Sequence, residues 1–156
     1  MTAEEFAHTY ALTYEHEVEF GEIDMLRHTN NVRYAVWAET IRSVYLADVI
    51  GEDIWGRQGM IIARHDLHYE APVRYRDRLT IGGRITRLGK KSFDFETAVW
   101  VQARALRAFR AVATLVAYDY ESERSIHLPE DWRTKIIAFE HIRPATPMSP
   151  RFGEPN

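Results

Sequence analysis

Apolar and polar residues alternate from Tyr14 to Phe20, with Tyr14, His16, Val18 and Phe20 on one side and Glu15, Glu17 and Glu19 on the other. A period of two predicts a half-buried strand. A polar turn follows, and the period changes. From Val32 to Ile50 the residues Tyr34, Trp37, Ala38, Ile41, Val44, Tyr45 and Val49 recur at helical spacing, while Val32, Ala35 and Val36 widen the stripe. This predicts one long helix, apolar on most sides, capped at its start by Asn30 or Asn31 and stopped by Gly51. Beyond Gly59 the period returns to two. Strands are expected over Met60–Ala71 (ended by Pro72), Arg78–Leu88, Ser92–Ala103 after a tight Gly89-Lys90-Lys91 turn, and Leu106–Tyr120. Their short connections favour antiparallel pairing. Pro129 suits the first turn of a short helix through Phe139, and residues 1–12 read as a loose lead-in. A strand, a buried helix and four uninterrupted strands make an α+β chain, with the sheet curved around the helix.

Composition narrows the picture. The chain has 156 residues, 46% hydrophobic and 28% charged, which fits one ordinary globular domain. The net charge of −3 gives no basic footprint for nucleic acid, although Arg74, Arg76 and Arg78 crowd one segment. No apolar run approaches membrane-spanning length and no signal-peptide pattern opens the chain, so a cytoplasmic location is expected. The absence of cysteine removes disulfides, cysteine nucleophiles and thiolate metal sites. His65 and His68, three apart on a strand, point to opposite faces, and no metal is expected. Four of the six prolines fall in the last 13 residues. The expected organisation is therefore a single domain over 1–143 and a loosely draped tail over 144–156. There is no G-x-S-x-G elbow, G-x-G-x-x-G or Walker pattern.

The candidate chemistry sits in the polar turn, where Asp24, His28, Asn30 and Asn31 cluster just ahead of the helix. A carboxylate there faces unpaired backbone N–H donors at the helix N-terminus. That pairing suits attack on a carbonyl: the carboxylate drives the nucleophile and the N–H groups receive the oxyanion.

The order of elements resembles the hot-dog fold, an antiparallel sheet of about five strands wrapped around one central helix. The turn resembles that of the 4-hydroxybenzoyl-CoA thioesterase family: strand, Asp, short turn, then a helix opening near a Tyr. Asp24 falls on that family's catalytic aspartate, Asn31 on the helix start whose N–H polarises the thioester carbonyl, and Tyr34 on the aromatic one turn in. His28-Thr29-Asn30-Asn31-Val32-Arg33-Tyr34 is also similar to the His-Val-Asn-Asn stretch of acyl-ACP thioesterases. Tyr69-Glu70-Ala71-Pro72, Asp77 and the Gly89–Ser92 hairpin match further along, so the likeness runs from about residue 13 to 141.

The resemblance implies hydrolysis of acyl-CoA or acyl-carrier-protein thioesters. Asp24 would act as base or as nucleophile, and the residues leave that choice open. His28 would orient Asp24 or contact the thioester. Asn30, Tyr34 and Trp37 would line the substrate site. Arg27, a departure where relatives carry Gly or a small polar residue, would narrow the site or meet an anionic substrate. Arg74, Arg76, Lys90 and Lys91 are candidates for the nucleotide end of coenzyme A, which enters as part of the substrate; no cofactor is implied. Glu39 sits where another branch carries a helix carboxylate, but an ion pair with Arg42 at i+3 accounts for it. A homodimer or homotetramer is implied. The alternatives are an acyl-thioester hydratase or dehydratase, and a non-catalytic acyl-CoA-binding domain.

Overall fold

In the computed structural model, which describes residues 1–146, the chain runs α1 (Ala3–Thr9), β1 (Leu12–Glu17), α2 (Asn31–Tyr45), β2 (Gln58–Tyr69), β3 (Arg78–Leu88), β4 (Ser92–Val101), β5 (Leu106–Asp119), β6 (Arg124–Ser125) and α3 (Glu130–Phe139). The strands form one antiparallel sheet in the order β1-β3-β4-β5-β2, with β6 pairing on β5. The sheet curls around α2, the arrangement expected from the order of the elements.

The inner face of α2 places Tyr34, Trp37, Ala38, Ile41 and Tyr45 against Ile81 and Ile85 of β3, Phe95 and Val99 of β4, and Phe109 and Ala113 of β5, in one continuous core. Each such large side chain contributes about 1.5–3 kcal/mol on burial. Helix and sheet approach closely because β3 carries Gly83 where α2 crosses; a Cβ there would meet Phe95 and Ile41.

Three expectations change. The lead-in is not loose. Thr2 and Glu5 form a capping box that starts α1, and Phe6 and Tyr10 pack on Ala98 and Trp100 on the outer side of the sheet. The first strand stops at Glu17, three residues early, and the chain turns into a 3-10 turn over Phe20–Glu22 that leaves Phe20 80% exposed. The helix keeps α geometry only to Tyr45; Leu46–Ile50 widen into a π turn that Gly51 ends at φ 117. Its outer face, with Val32, Val36 and Val44, stays open to solvent. Of the Pro-rich tail, Ala145 pairs with the edge of β3 (Leu88 N to Ala145 O 2.8 Å, Ala145 N to Thr86 O 2.9 Å), and residues 147–156 lie outside the described residues.

That edge is bare because β1 covers β3 only from Arg78 to Gly83. Glu140, just past α3, fills part of the gap: Oε1 accepts from Ile85 N (2.6 Å) and from the Tyr45 hydroxyl (2.6 Å), while Oε2 is buried without a hydrogen-bond partner among the described residues. Burial raises the Glu140 pKa more than these two donors lower it. The folded state therefore holds this proton more tightly than the unfolded chain, and stability falls as pH rises from the ordinary carboxylate range through the folded value. Glu140→Gln keeps an acceptor for both donors and removes the titration. Its unfolding free energy is expected to lose that downward slope, which urea titrations of both proteins across mildly acidic pH would read.

Candidate active site

β1 hands the chain to the candidate turn through two backbone bonds with the β2–β3 loop, Val18 N to Asp77 O (3.0 Å) and Arg76 N to Val18 O (3.1 Å). After the 3-10 turn, Ile23 bridges Thr29 and closes a tight loop over Asp24–His28. Asp24 N donates to His28 O (3.1 Å) and Arg27 N to Asp24 O (3.0 Å), with Arg27 at φ 64. Thr29 then anchors the returning limb: its N–H and its hydroxyl both donate to Val73 O at 3.0 Å.

The Asp24 carboxylate divides its two oxygens. Oδ1 accepts from Leu26 N at 2.8 Å, a bond that holds the loop. Among the described residues Oδ2 has only a long contact, 3.5 Å, from Asn30 Nδ2. The same Asn30 caps α2, its Oδ1 accepting from Val32 N (2.9 Å) and its carbonyl from Arg33 N (2.9 Å). One side chain thus bridges the half-buried carboxylate and the helix N-terminus. With Val32 N and Arg33 N satisfied, Asn31 N–H is left without a partner among the described residues. A half-occupied carboxylate beside a free N–H at the positive end of a helix can activate or supply a nucleophile and receive a developing oxyanion.

The structure sorts the other expected residues. His28, Arg27, Met25 and Leu26 are exposed around the mouth of the turn. Tyr34 and Trp37 are each 4% exposed and already engaged: the Tyr34 hydroxyl accepts from Val73 N (3.3 Å), and Trp37 Nε1 donates to Glu22 (3.0 Å). They brace the site from below. Arg74 and Arg76 stand on the β2–β3 loop directly beside the turn, through Val73. That loop is held by Asp77, whose Oδ2 accepts from Arg74 N (2.8 Å) and Arg104 Nη2 (2.7 Å). The guanidinium groups of Arg27, Arg74 and Arg76 make no ion pair among the described residues, whereas those of Arg57, Arg84, Arg104, Arg107 and Arg110 are each paired.

Lys90 and Lys91 belong elsewhere. They sit at the far end of β3, whose 11 residues span about 35 Å, and Lys91 Nζ donates to Ser125 Oγ (3.3 Å). One subunit therefore does not bring them to the turn. Glu39 is exposed, and Arg42 is buried with Nη1 lacking a hydrogen-bond partner among the described residues, so the expected surface pair does not form as a contact. His65 is half-buried and His68 exposed; among the described residues no group of three or more His, Cys, Asp or Glu could hold a metal ion.

Sequence reasoning passed over Glu22. It is 8% exposed, and its carboxylate accepts from His16 Nε2 (2.8 Å), Glu19 N (2.8 Å) and Trp37 Nε1 (3.0 Å). Burial by itself would raise its pKa, but those donors outweigh it and hold the group below the usual carboxylate range. The available signal was the inward His16 of the first strand, which needed an acceptor.

With this geometry in place, the chain can be set beside known proteins. A family model of the Thioesterase-like superfamily matches residues 18–136. A thioesterase from Thermus thermophilus, solved with coenzyme A and Zn, superposes with a TM-score of 0.76 at 27% identity, over 88% of this chain and 98% of that one. A thioesterase-superfamily protein from Jannaschia sp. CCS1 gives 0.77 at 22% identity, over 93% and 96%. The 1,4-dihydroxy-2-naphthoyl-CoA thioesterase of Synechocystis gives 0.70 at 20% identity, over 80% and 93%. The last two likenesses carry the hot-dog fold alone. No curated protein sequence matches the chain.

Proposed function

The chain belongs to the Thioesterase-like superfamily, and we propose that it hydrolyses the thioester of an acyl-CoA or acyl-carrier-protein substrate, with Asp24 as base or nucleophile. The observation that carries this reading is the pairing at the turn: among the described residues Asp24 keeps Oδ2 nearly free, and Asn30 ties it to a helix N-terminus where Asn31 N–H has no partner. The substrate carbonyl oxygen would sit on Asn31 N–H and the carbonyl carbon would face Asp24 Oδ2. In one route Asp24 takes a proton from water as it adds to the carbon. In the other, Oδ2 adds directly and gives a mixed anhydride, which water then cleaves to regenerate the carboxylate. In both the C–S bond breaks and the thiolate leaves and is protonated. A preorganised donor of this kind supports about 3 kcal/mol of transition-state stabilisation. His28 lies within the same loop and can assist orientation. The reaction needs no cofactor, since coenzyme A enters and leaves with the substrate.

The test is release of free thiol from a panel of acyl-CoAs; no release from any of them would sink the reading. Single turnover in heavy-oxygen water separates the two routes, because label retained in the Asp24 carboxylate marks direct attack.

Arg27, Arg74 and Arg76, which make no ion pair among the described residues, support recognition of a phosphate-bearing carrier. Binding of a CoA ester is expected to weaken as ionic strength rises, and replacing Arg74 and Arg76 together by Ala should cost about threefold in KM per arginine and flatten the salt dependence. A salt series on both proteins reads this, and identical slopes would remove the two arginines from the site.

We place the active form as a homodimer or homotetramer. The long edge strand β2, with Ile61 and Ile62 exposed, and the open Val36 and Val44 of α2 support such pairing. No helix among the described residues is long and apolar enough to cross a membrane, and a cytoplasmic site of action is part of the proposal.

A further inference from the structure

Glu22 is a buried carboxylate that the proposed chemistry leaves idle, and its bonds join the elements that hold the candidate site. Its side chain joins β1 through His16 Nε2, the 3-10 turn through Glu19 N, and α2 through Trp37 Nε1. Its backbone carbonyl accepts Asn30 N at 2.8 Å. Asn30 in turn touches Asp24 Oδ2 and caps Val32 N. Both halves of the site therefore hang from this residue, the carboxylate two positions along the chain and the helix start through Asn30.

A second route closes the same circuit. The Trp37 ring lies 5.0 Å from the Tyr34 ring. The Tyr34 hydroxyl accepts Val73 N, and Val73 O receives both donors of Thr29, which bridges back to Ile23 beside Glu22.

We propose that Glu22 is the positioning residue of the site: its carboxylate, held by His16, Glu19 and Trp37, fixes the Asp24 turn against the N-terminus of α2. The proposal rests on the thioesterase reading above for its kinetic consequence. An acceptor-only group is required, because three donors converge on it. An amide in its place would turn an N–H towards one of them. The donors also make the buried charge tolerable, since a buried charge left without them is strongly destabilising. A displacement of about 1 Å in a catalytic constellation is enough to lose about 100-fold in rate.

The test compares Glu22→Gln and Trp37→Phe, each in the full chain, with the wild type. Trp37→Phe keeps a ring in the core and withdraws a single donor. For an acyl-CoA that the wild type hydrolyses, Glu22→Gln should lower kcat by about 100-fold with KM within about threefold, and Trp37→Phe should lower kcat by a smaller factor. In the double variant the two losses should combine to less than their product, because they act through one bond network. Amide hydrogen exchange supplies a readout without substrate: the amides of Asn30, Val32 and Arg33 should exchange at least about tenfold faster in Glu22→Gln, while those of β4 keep their protection.

A folded Glu22→Gln with kcat within twofold of wild type, or one that changes only its melting temperature, would overturn the proposal. So would unchanged exchange at the helix start. If Glu22→Gln does not fold, Trp37→Phe decides by the same two readouts. Absence of turnover in the wild type would instead strike the thioesterase reading, with the exchange result still deciding whether Glu22 positions the turn.

Discussion

Asp24→Asn is expected to release thiol from every acyl-CoA substrate at a rate about 10³-fold or more below the wild type, with its unfolding midpoint nearly unchanged. The two halves of this result have separate origins. Stability survives because the amide oxygen still accepts the Leu26 N–H at 2.8 Å, the bond that holds the loop, and because Arg27 N and His28 O are bonded through the Asp24 backbone. Activity does not survive, because the atom placed at Oδ2 becomes an amide nitrogen with no lone pair to offer. It can neither take a proton from water nor attack a carbonyl carbon, so both proposed routes are lost together. Continuous thiol detection with circular dichroism on the same samples measures both quantities. A folded Asp24→Asn that keeps a tenth of the wild-type rate would remove Asp24 from the chemistry. Asn31→Ala is a milder contrast: its N–H is retained, so only positioning should suffer.

Gly83→Val is expected to destabilise the fold by about 3 kcal/mol, a fall of roughly 6–12 °C in melting temperature for a domain of this size. Valine is a good strand residue, so the loss isolates packing. A Cβ at this position would lie 2.6 Å from Phe95 Cζ and 2.8 Å from Ile41 Cγ1. Both neighbours are almost completely buried, leaving neither a free direction in which to yield. The clash falls where α2 crosses β3, so relief requires the helix to lift from the sheet. Thermal and urea unfolding measure the effect; a midpoint within 2 °C of wild type would show that the helix has slack at this crossing.

Much of the architecture could be read from the residues because it rests on local period. Arg78–Leu88 is predicted and found with the same bounds, since alternation, the Gly89 turn and the preceding polar loop agree. The start of α2 follows from Asn30, whose side chain bonds the backbone two residues on. Thr2 and Glu5 form a capping box at the start of α1, although residues 1–12 read as a loose lead-in. Periodicity identifies an apolar face without saying what will cover it. Val36 and Val44 belong to the predicted stripe yet stand exposed, and Phe20 continues the strand pattern after the backbone has already turned away.

The residue order alone determined the class of fold and brought Asp24, Asn30 and Asn31 to the brink of one helix, because cap and carboxylate lie within a few residues and act over local distances. Tertiary structure decided everything that depends on which distant segments meet. Strand direction puts Arg74 and Arg76 beside the turn and carries Lys90 and Lys91 to the opposite end of β3, although both pairs look alike in sequence. In sequence Glu22 is one more glutamate just past Glu15, Glu17 and Glu19, and its one local donor is Glu19 N. It became the buried anchor because donors from β1, a 3-10 turn and α2 converge on it, and hydrogen bonds between segments exist only once the chain has closed upon itself.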